Sequence, residues 1–210
     1  MQVINSENKE VCLKVLYLGA RGAGKTSNFR SLFTSVTAQD SKRNFHGQED
    51  DSLFFEFLPL SLGKIQDHDV RVHLFSFELD SPFSTLRKMI FTNLDACVFV
   101  IDSRMEQLLD NRDLMVLAKD RLKEEGYKLA EMPHIFQFNR RDDRTAISSN
   151  VLSMEFNRWE APEQDAVANQ GQGVLETLQT LLRRVLDRQF PDYSHFQLHH
   201  IPETEKDLSL

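Results

Sequence analysis

The eight residues GARGAGKT (19–26) constrain this chain of 210 residues more than any other stretch. Gly19, Gly24, Lys25 and Thr26 satisfy the pattern G-x-x-x-x-G-K-[ST]. They lie between VCLKVLYLG (11–19), an apolar β-rich run, and a segment in which Phe29, Leu32, Phe33 and Val36 recur at helical spacing. A turn this tight needs dihedrals that side chains disfavour, so that successive N–H groups point inward around an anion. A helix starting near Lys25 adds its positive dipole end. Gly19, Arg21, Gly22, Ala23, Gly24, Lys25 and Thr26 are therefore the candidate phosphate-binding residues. Lys25 would reach the β- and γ-phosphates of a nucleotide, and the Thr26 hydroxyl would ligate magnesium. The pattern speaks strongly for a nucleotide and weakly for which base.

Around that loop, strand-like and helix-like runs alternate. SLFFEFLPLSLGKI (52–65) and VRVHLFSFEL (70–79) flank the polar QDHD and predict a hairpin. Alternate phenylalanines among Phe54, Phe55, Phe57, Phe75 and Phe77 would then be core, the others an exposed partner surface. FSTLRKMIFTNL (83–94) predicts a short helix, and DACVFVIDS (95–103) a strand covered on both faces. Residues 106–125 are helical in pattern up to Gly126, HIFQF (134–138) is a strand, and EQDAVAN (163–169) a short one. Val174, Leu178, Leu181, Leu182, Val185 and Leu186 form the stripe of a last helix. The alternation predicts an α/β fold, a three-layer domain with a mainly parallel sheet and one antiparallel edge hairpin. Ligands of such sheets lie beyond the carboxyl ends of the strands, where GARGAGKT falls. Residues 1–190 read as one domain, and 191–210, which show no period, as a flexible C-terminal tail.

Charge and composition exclude several classes. A net charge of -7 argues against nucleic acid as a partner. No apolar run approaches a membrane span, the opening MQVINSENKE lacks the core of a signal peptide, and the closing DLSL offers no lipidation cysteine. These features predict a cytoplasmic protein without membrane insertion. Cys12 and Cys97 both fall in strand-like runs and are expected to be buried free thiols of a reducing compartment. Asp102, at the end of ACVFVID, is expected to cap its strand rather than to serve a metal.

Choice of base turns on NRRD (139–142), which follows the strand HIFQF. A carboxylate in the base plane accepts from the N1–H and exocyclic amine of guanine, groups that adenine lacks. Taken alone, N-x-x-D is also a common turn. Its place after a strand, downstream of a phosphate loop, favours guanine over an ATP-using enzyme.

With KVLYLGARGAGKTSNF, SLFFEFLPLSLGKI, ACVFVIDS, EEGYKL, QFNRRD and AVANQGQGV, the chain resembles the MglA-type bacterial small Ras-like GTPases over about residues 5–190. SLFFEFLPLSLG is the most distinctive of these stretches. The resemblance implies a Ras-like P-loop fold, GTP or GDP with magnesium, and a role as a switch in cell polarity or motility. It implies a roadblock-type activator dimer and polarity or effector proteins as partners. It places Asn139, Arg140 and Asp142 at the guanine, Arg140 where the family has a stacking lysine. The backbone N–H of Ala168 would face the guanine oxygen, and Ser52 would stand as the switch hydroxyl on magnesium.

Departures from the family bear on turnover. Asp50, Asp51 and Ser52 stand where the family has Asp-Arg-Thr, and Glu78, Leu79 and Asp80 where it has Pro-Gly-Gln. Loss of a catalytic arginine alone costs about 10³ to 10⁵ in phosphoryl transfer. Slow or partner-dependent hydrolysis is therefore expected; the alternative is a pseudo-GTPase that keeps the nucleotide as a structural ligand and works by docking. Arg21 and Asp80 are the candidates for any catalytic part. Arg21 is expected to reach the γ-phosphate, Asp51 or both.

Overall fold

The chain runs β1 (Ile4–Asn5), β2 (Glu10–Gly19), α1 (Lys25–Thr37), β3 (His46–Gly47), β4 (Phe55–Ile65), β5 (His68–Phe77), α2 (Ser84–Phe91), β6 (Ala96–Asp102), α3 (Leu108–Glu124), β7 (His134–Asn139), α4 (Ser149–Phe156), β8 (Glu163–Asp165) and α5 (Val174–Gln189). These elements come from a computed structural model that describes residues 4–5, 10–37, 46–47, 55–65, 68–80 and 84–189. The sheet has the order β3-β4-β5-β2-β6-β7-β8, with β1 also paired to β2. Strand β2 lies parallel to β5 and β6, and β6, β7 and β8 continue the parallel part. The antiparallel hairpin is β4–β5, in which Ile65 pairs with His68, while β3 and β1 add two-residue antiparallel ladders.

Side-chain alternation along β2 fixes the three layers. Val11, Leu13, Val15 and Tyr17 face one core, which α1 and α5 close through Phe29, Leu32, Leu178, Leu181, Leu182 and Val185. Leu16 and Leu18 face the other, closed by Ile90 and Phe91 of α2, Met115, Ala118 and Leu122 of α3, and Leu152 and Phe156 of α4. Strand β6 is buried at all its positions because it serves both cores. Pro59 sits exposed on β4, which pairs with β3 only at Glu56 and Phe57. Proline at an edge position forfeits no ladder hydrogen bond there.

Several expectations are corrected. Phe75 and Phe77 are both buried, and half-buried Phe57 packs on Phe75 with ring centroids 5.0 Å apart. Positions 75 and 77 share a face of β5, and Phe57 pairs with Phe75, so the three form one row rather than a core half and an exposed half. Phe54 lies outside the described residues, as do 191–210. Cys97 is buried as expected, whereas Cys12 is only half-buried, with Sγ 3.2 Å from His73 Nδ1. Helix α4 was not expected: of SNVLSMEF only Leu152 and Phe156 are buried, while Val151 and Met154 are exposed, which blurs the period.

A buried polar chain crosses the α1 and α5 side of the sheet. Asn28 and Gln137 exchange two amide hydrogen bonds of 2.8 Å, and Gln137 also donates to Thr177 Oγ1 at 2.9 Å. Asn28 donates to Gly24 O at 3.0 Å, and Thr177 to Gly173 O at 2.5 Å. All three side chains are fully buried. Gln137→Leu would fill the same space but remove three hydrogen bonds, leaving Asn28 Oδ1 without a donor while Asn28 and Thr177 keep their bonds to Gly24 O and Gly173 O. A loss of about 3 kcal/mol is expected in urea unfolding, since an orphaned buried group costs about 1–3 kcal/mol. A loss below about 0.5 kcal/mol, the range of a neutral surface change, would contradict that role.

Candidate functional site

Strand β2 ends at Gly19, which pairs closely with Val100 of β6: a Cβ on Gly19 would come 2.7 Å from Val100 O. The turn that follows is closed by Ala23 N donating to Ala20 O at 3.1 Å. Gly24 has φ +108, and a Cβ there would overlap Asn139 Nδ2, so no other residue fits the position. Helix α1 then begins at Lys25, with Asn28 N donating to Gly24 O at 3.0 Å. The Lys25 ammonium donates to Gly19 O at 2.7 Å and Ala20 O at 3.1 Å, and lies 3.8 Å from Glu78 Oε1. Only 7% of Lys25 is exposed, and burial pulls its ammonium below the ordinary lysine range, against the opposing fields of Glu78, Glu56 and Asp80.

From the end of β7, the buried Asn139 side chain ties two loops together. Its Nδ2 donates to Ala23 O at 2.6 Å, and its Oδ1 accepts from Ala168 N at 2.9 Å. The next residue, Arg140, has φ 65, and its Nη2 donates to Gly22 O at 3.2 Å, so it leans over the phosphate loop. Asp142 is exposed in the turn after β7. Asn139, Arg140 and Ala168 thus converge on the loop. The Ala168 N–H, expected to face a guanine oxygen, is taken by Asn139 in this structure.

Between the loop and the ends of β4 and β5 opens a cleft of about 870 Å³. Arg21, Lys25 and Arg140 line it, and so do five carboxylates: Glu56, Glu78, Asp80, Asp110 and Asp113. Arg21 is exposed at its rim. Asp50, Asp51 and Ser52 lie outside the described residues, and with them the expected contacts of Arg21 and of the switch hydroxyl. Leu79 is 3% exposed and belongs to the core under α2 and α3, whereas its neighbour Asp80 is exposed to the cleft.

Thr26 is exposed at the start of α1 and lines the cleft with Glu56 and Ser76. Burial pushes the Glu56 carboxyl up, and the neighbouring hydroxyls of Thr26 and Ser76 and the Lys25 ammonium pull it back. A hydroxyl and carboxylate oxygens are the hard donors that magnesium takes, and phosphate oxygens complete such a site. Among the described residues no group of three or more His, Cys, Asp or Glu side chains is placed to hold a metal ion. Glu56 escaped the sequence-based expectations because only the register of the hairpin brings it to Thr26; its signal was a lone acid inside the apolar run SLFFEF. Asp102, by contrast, is a structural acid: its Oδ1 accepts from Arg104 N and Nε at 3.1 and 3.0 Å, and its Oδ2 from Nη2 at 2.8 Å.

No protein-family model matches the chain. It is 33% identical over 188 residues to the Mutual gliding-motility protein MglA of Myxococcus xanthus (strain DK1622), a match covering 89% of this chain and 96% of that protein. No helix among the described residues is long and apolar enough to cross a membrane.

Asn139→Ala would release both loops at once and leave Ala23 O and Ala168 N unpaired. Affinity for fluorescent GDP, measured by equilibrium titration, is expected to fall about 10- to 100-fold, the equivalent of one or two hydrogen bonds. An unchanged dissociation constant in a folded variant would show that the Asn139 bridge does not position the site.

Proposed function

Because the chain belongs to the MglA family of small Ras-like GTPases, we propose that it is a guanine-nucleotide switch that controls cell polarity or motility through partner proteins. Family membership implies guanine-nucleotide binding and regulatory partners of the GTPase kind. The observation that carries the proposal is the convergence of the phosphate loop, Asn139 and the Ala168 turn at one end of the sheet. The motility role draws on the name of the Myxococcus relative. Partners that read the GTP state, including a roadblock-type activator dimer, belong to the proposal.

In this account the inward N–H groups of residues 19–26 and the amino end of α1 hold the phosphates. Lys25, held over the loop by Gly19 O and Ala20 O, turns its remaining hydrogen-bonding capacity to them. Thr26 and Ser52 are the residues that would hold magnesium, which would supply positive charge to offset that of the phosphates. Asp142 accepts from the guanine N1–H and amine, and Arg140 covers the base next to Gly22. Ala168 N, now bonded to Asn139, serves the guanine oxygen in the bound state.

Turnover is slow or supplied by a partner. Leu79 anchors residues 78–80 to the core, and burying such a side chain stabilises by about 1.5–3 kcal/mol, so the loop has a resting position that glycine would not impose. Asp80 replaces a neutral water-orienting group with a negative one. That same anchor favours a second form of the proposal, a pseudo-GTPase that binds without turnover and acts by docking.

Asp142→Asn tests the base. The amide donates where the carboxylate accepted, so GTP should weaken by about 1.5–3 kcal/mol, a charge-assisted hydrogen bond, while xanthosine triphosphate gains. Competition against fluorescent GDP reads both changes. A variant that keeps its preference for GTP would remove Asp142 from the base site.

A further inference from the structure

Among the described residues six large apolar side chains are exposed, and five of them gather on two neighbouring helices. Met105 lies in the short turn before α3, Leu109 and Val116 on α3, and Val151 and Met154 on α4. The helices run side by side in the same direction. Arg104 bridges to Ala146, Arg112 Nε donates to Glu155 Oε1 at 2.8 Å, and the Lys119 ammonium lies 4.9 Å from the Trp159 ring centroid. Helix α3 divides its surface three ways. Met115, Ala118 and Leu122 enter the core, and Asp110, Asp113, Leu114 and Leu117 line the cleft. Leu109, Arg112 and Val116, at i, i+3 and i+7, form a third stripe turned outward. On α4, Val151, Met154 and Glu155 form the matching stripe, opposite the buried Leu152 and Phe156. Single exposed apolar residues are ordinary, but a cluster of five edged by charge marks a contact surface.

The charges within the cluster say what fits it. The Arg112–Glu155 bond uses Nε and Oε1, which leaves both Nη groups and Oε2 open to a second carboxylate and a second guanidinium. Such a pair is its own complement. In a twofold interface residue i meets j and j meets i, so each Arg112 can reach Glu155 of the other copy. Alone in water the pair contributes little; framed by four apolar side chains it sets the register of the contact. A chain of net charge -7 repels its copy over most of its surface, but here a cation and an acid stand together. The size is also adequate. The 17 residues of α3 make a helix about 25 Å long, and two helices abreast are about 20 Å wide. Corrugated by side chains, such a face is on the order of the 800 Å² that each partner buries in a standard interface. We propose that α3 and α4 dock against a second copy of this chain about a twofold axis beside the Arg112–Glu155 pair. Leu109, Val116, Val151 and Met154 form the apolar part of the contact. Because the cleft takes a different stripe of α3, it stays open in the dimer.

Sedimentation velocity on the purified full chain, from about 1 to about 100 μM, tests this without reference to nucleotide. The parent should pass from its monomer mass of 24.4 kDa toward twice that value as concentration rises. Leu109→Glu and Val116→Glu should each raise the dissociation constant about a hundredfold, a tenfold effect that enters a twofold interface twice. Arg112→Glu alone sets acids against acids and should leave monomer. Combined with Glu155→Arg, which restores the pairing with its signs exchanged, it should return the dimer to within about threefold of the parent. Urea midpoints equal to the parent's show that each variant is folded; if a glutamate variant is not, the charge exchange decides. A parent that stays monomeric over the whole range overturns the proposal, and the face then belongs to a different protein or to none. A dimer that Leu109→Glu and Val116→Glu leave intact also overturns it, since the contact then lies elsewhere. A charge exchange that stays monomeric while folded overturns the twofold pairing of Arg112 with Glu155.

Discussion

One amide side chain holds the site together. Asn139, at the carboxyl end of a fully buried strand, donates to the phosphate loop at Ala23 O and accepts from the turn at Ala168 N. Both partners are buried backbone groups, which cost about 1–3 kcal/mol when left unpaired, so neither loop can drift without penalty. The amide also explains Gly24: its Nδ2 occupies the space that any Cβ at that position would need. Behind it, the chain of Asn28, Gln137 and Thr177 repeats the same connection one layer deeper, from Gly24 O to Gly173 O. Two independent polar bridges, both buried, thus tie α1, β7 and the turn before α5 into one rigid wall.

The opposite wall of the cleft is built differently. There the strand ends of β4 and β5 present acids, and residues 78–80 after β5 are fastened by an apolar side chain, Leu79, set in the core. The Lys25 ammonium stands between the walls, bonded to two backbone carbonyls and within 3.8 Å of Glu78. In the proposed function the first, rigid wall would hold the nucleotide and the second, charged wall would respond to it. Leu79 and Asp80 stand in that second wall where the family has glycine and glutamine, which is the ground on which the proposal separates binding from turnover.

The fold was legible because local pattern and burial agree along most of the chain. The alternation of β2, the unbroken apolar run of β6 and the stripe of α5 each announce the layers they occupy. Helix α4 was not legible, since half of its apolar residues face outward. At the site, the turn between β2 and α1 could be read directly because eight consecutive residues encode it. The partners of Asn139 could not, because Ala23 and Ala168 offer backbone atoms, which leave no trace in residue type. Glu56 was hidden for a related reason: its meaning lies in the register that sets it opposite Ser76, and register is a property of two strands rather than one.

The central claim is that this cleft selects a guanine nucleotide by its phosphates and its base together. Competition of unlabelled GTP and ATP against fluorescent GDP on the unmodified chain tests it most directly. Displacement by GTP at concentrations at least about a hundredfold below those of ATP is the expected result, a difference of about 2.7 kcal/mol from the base contacts. Equal displacement by the two nucleotides, or by neither, would contradict it.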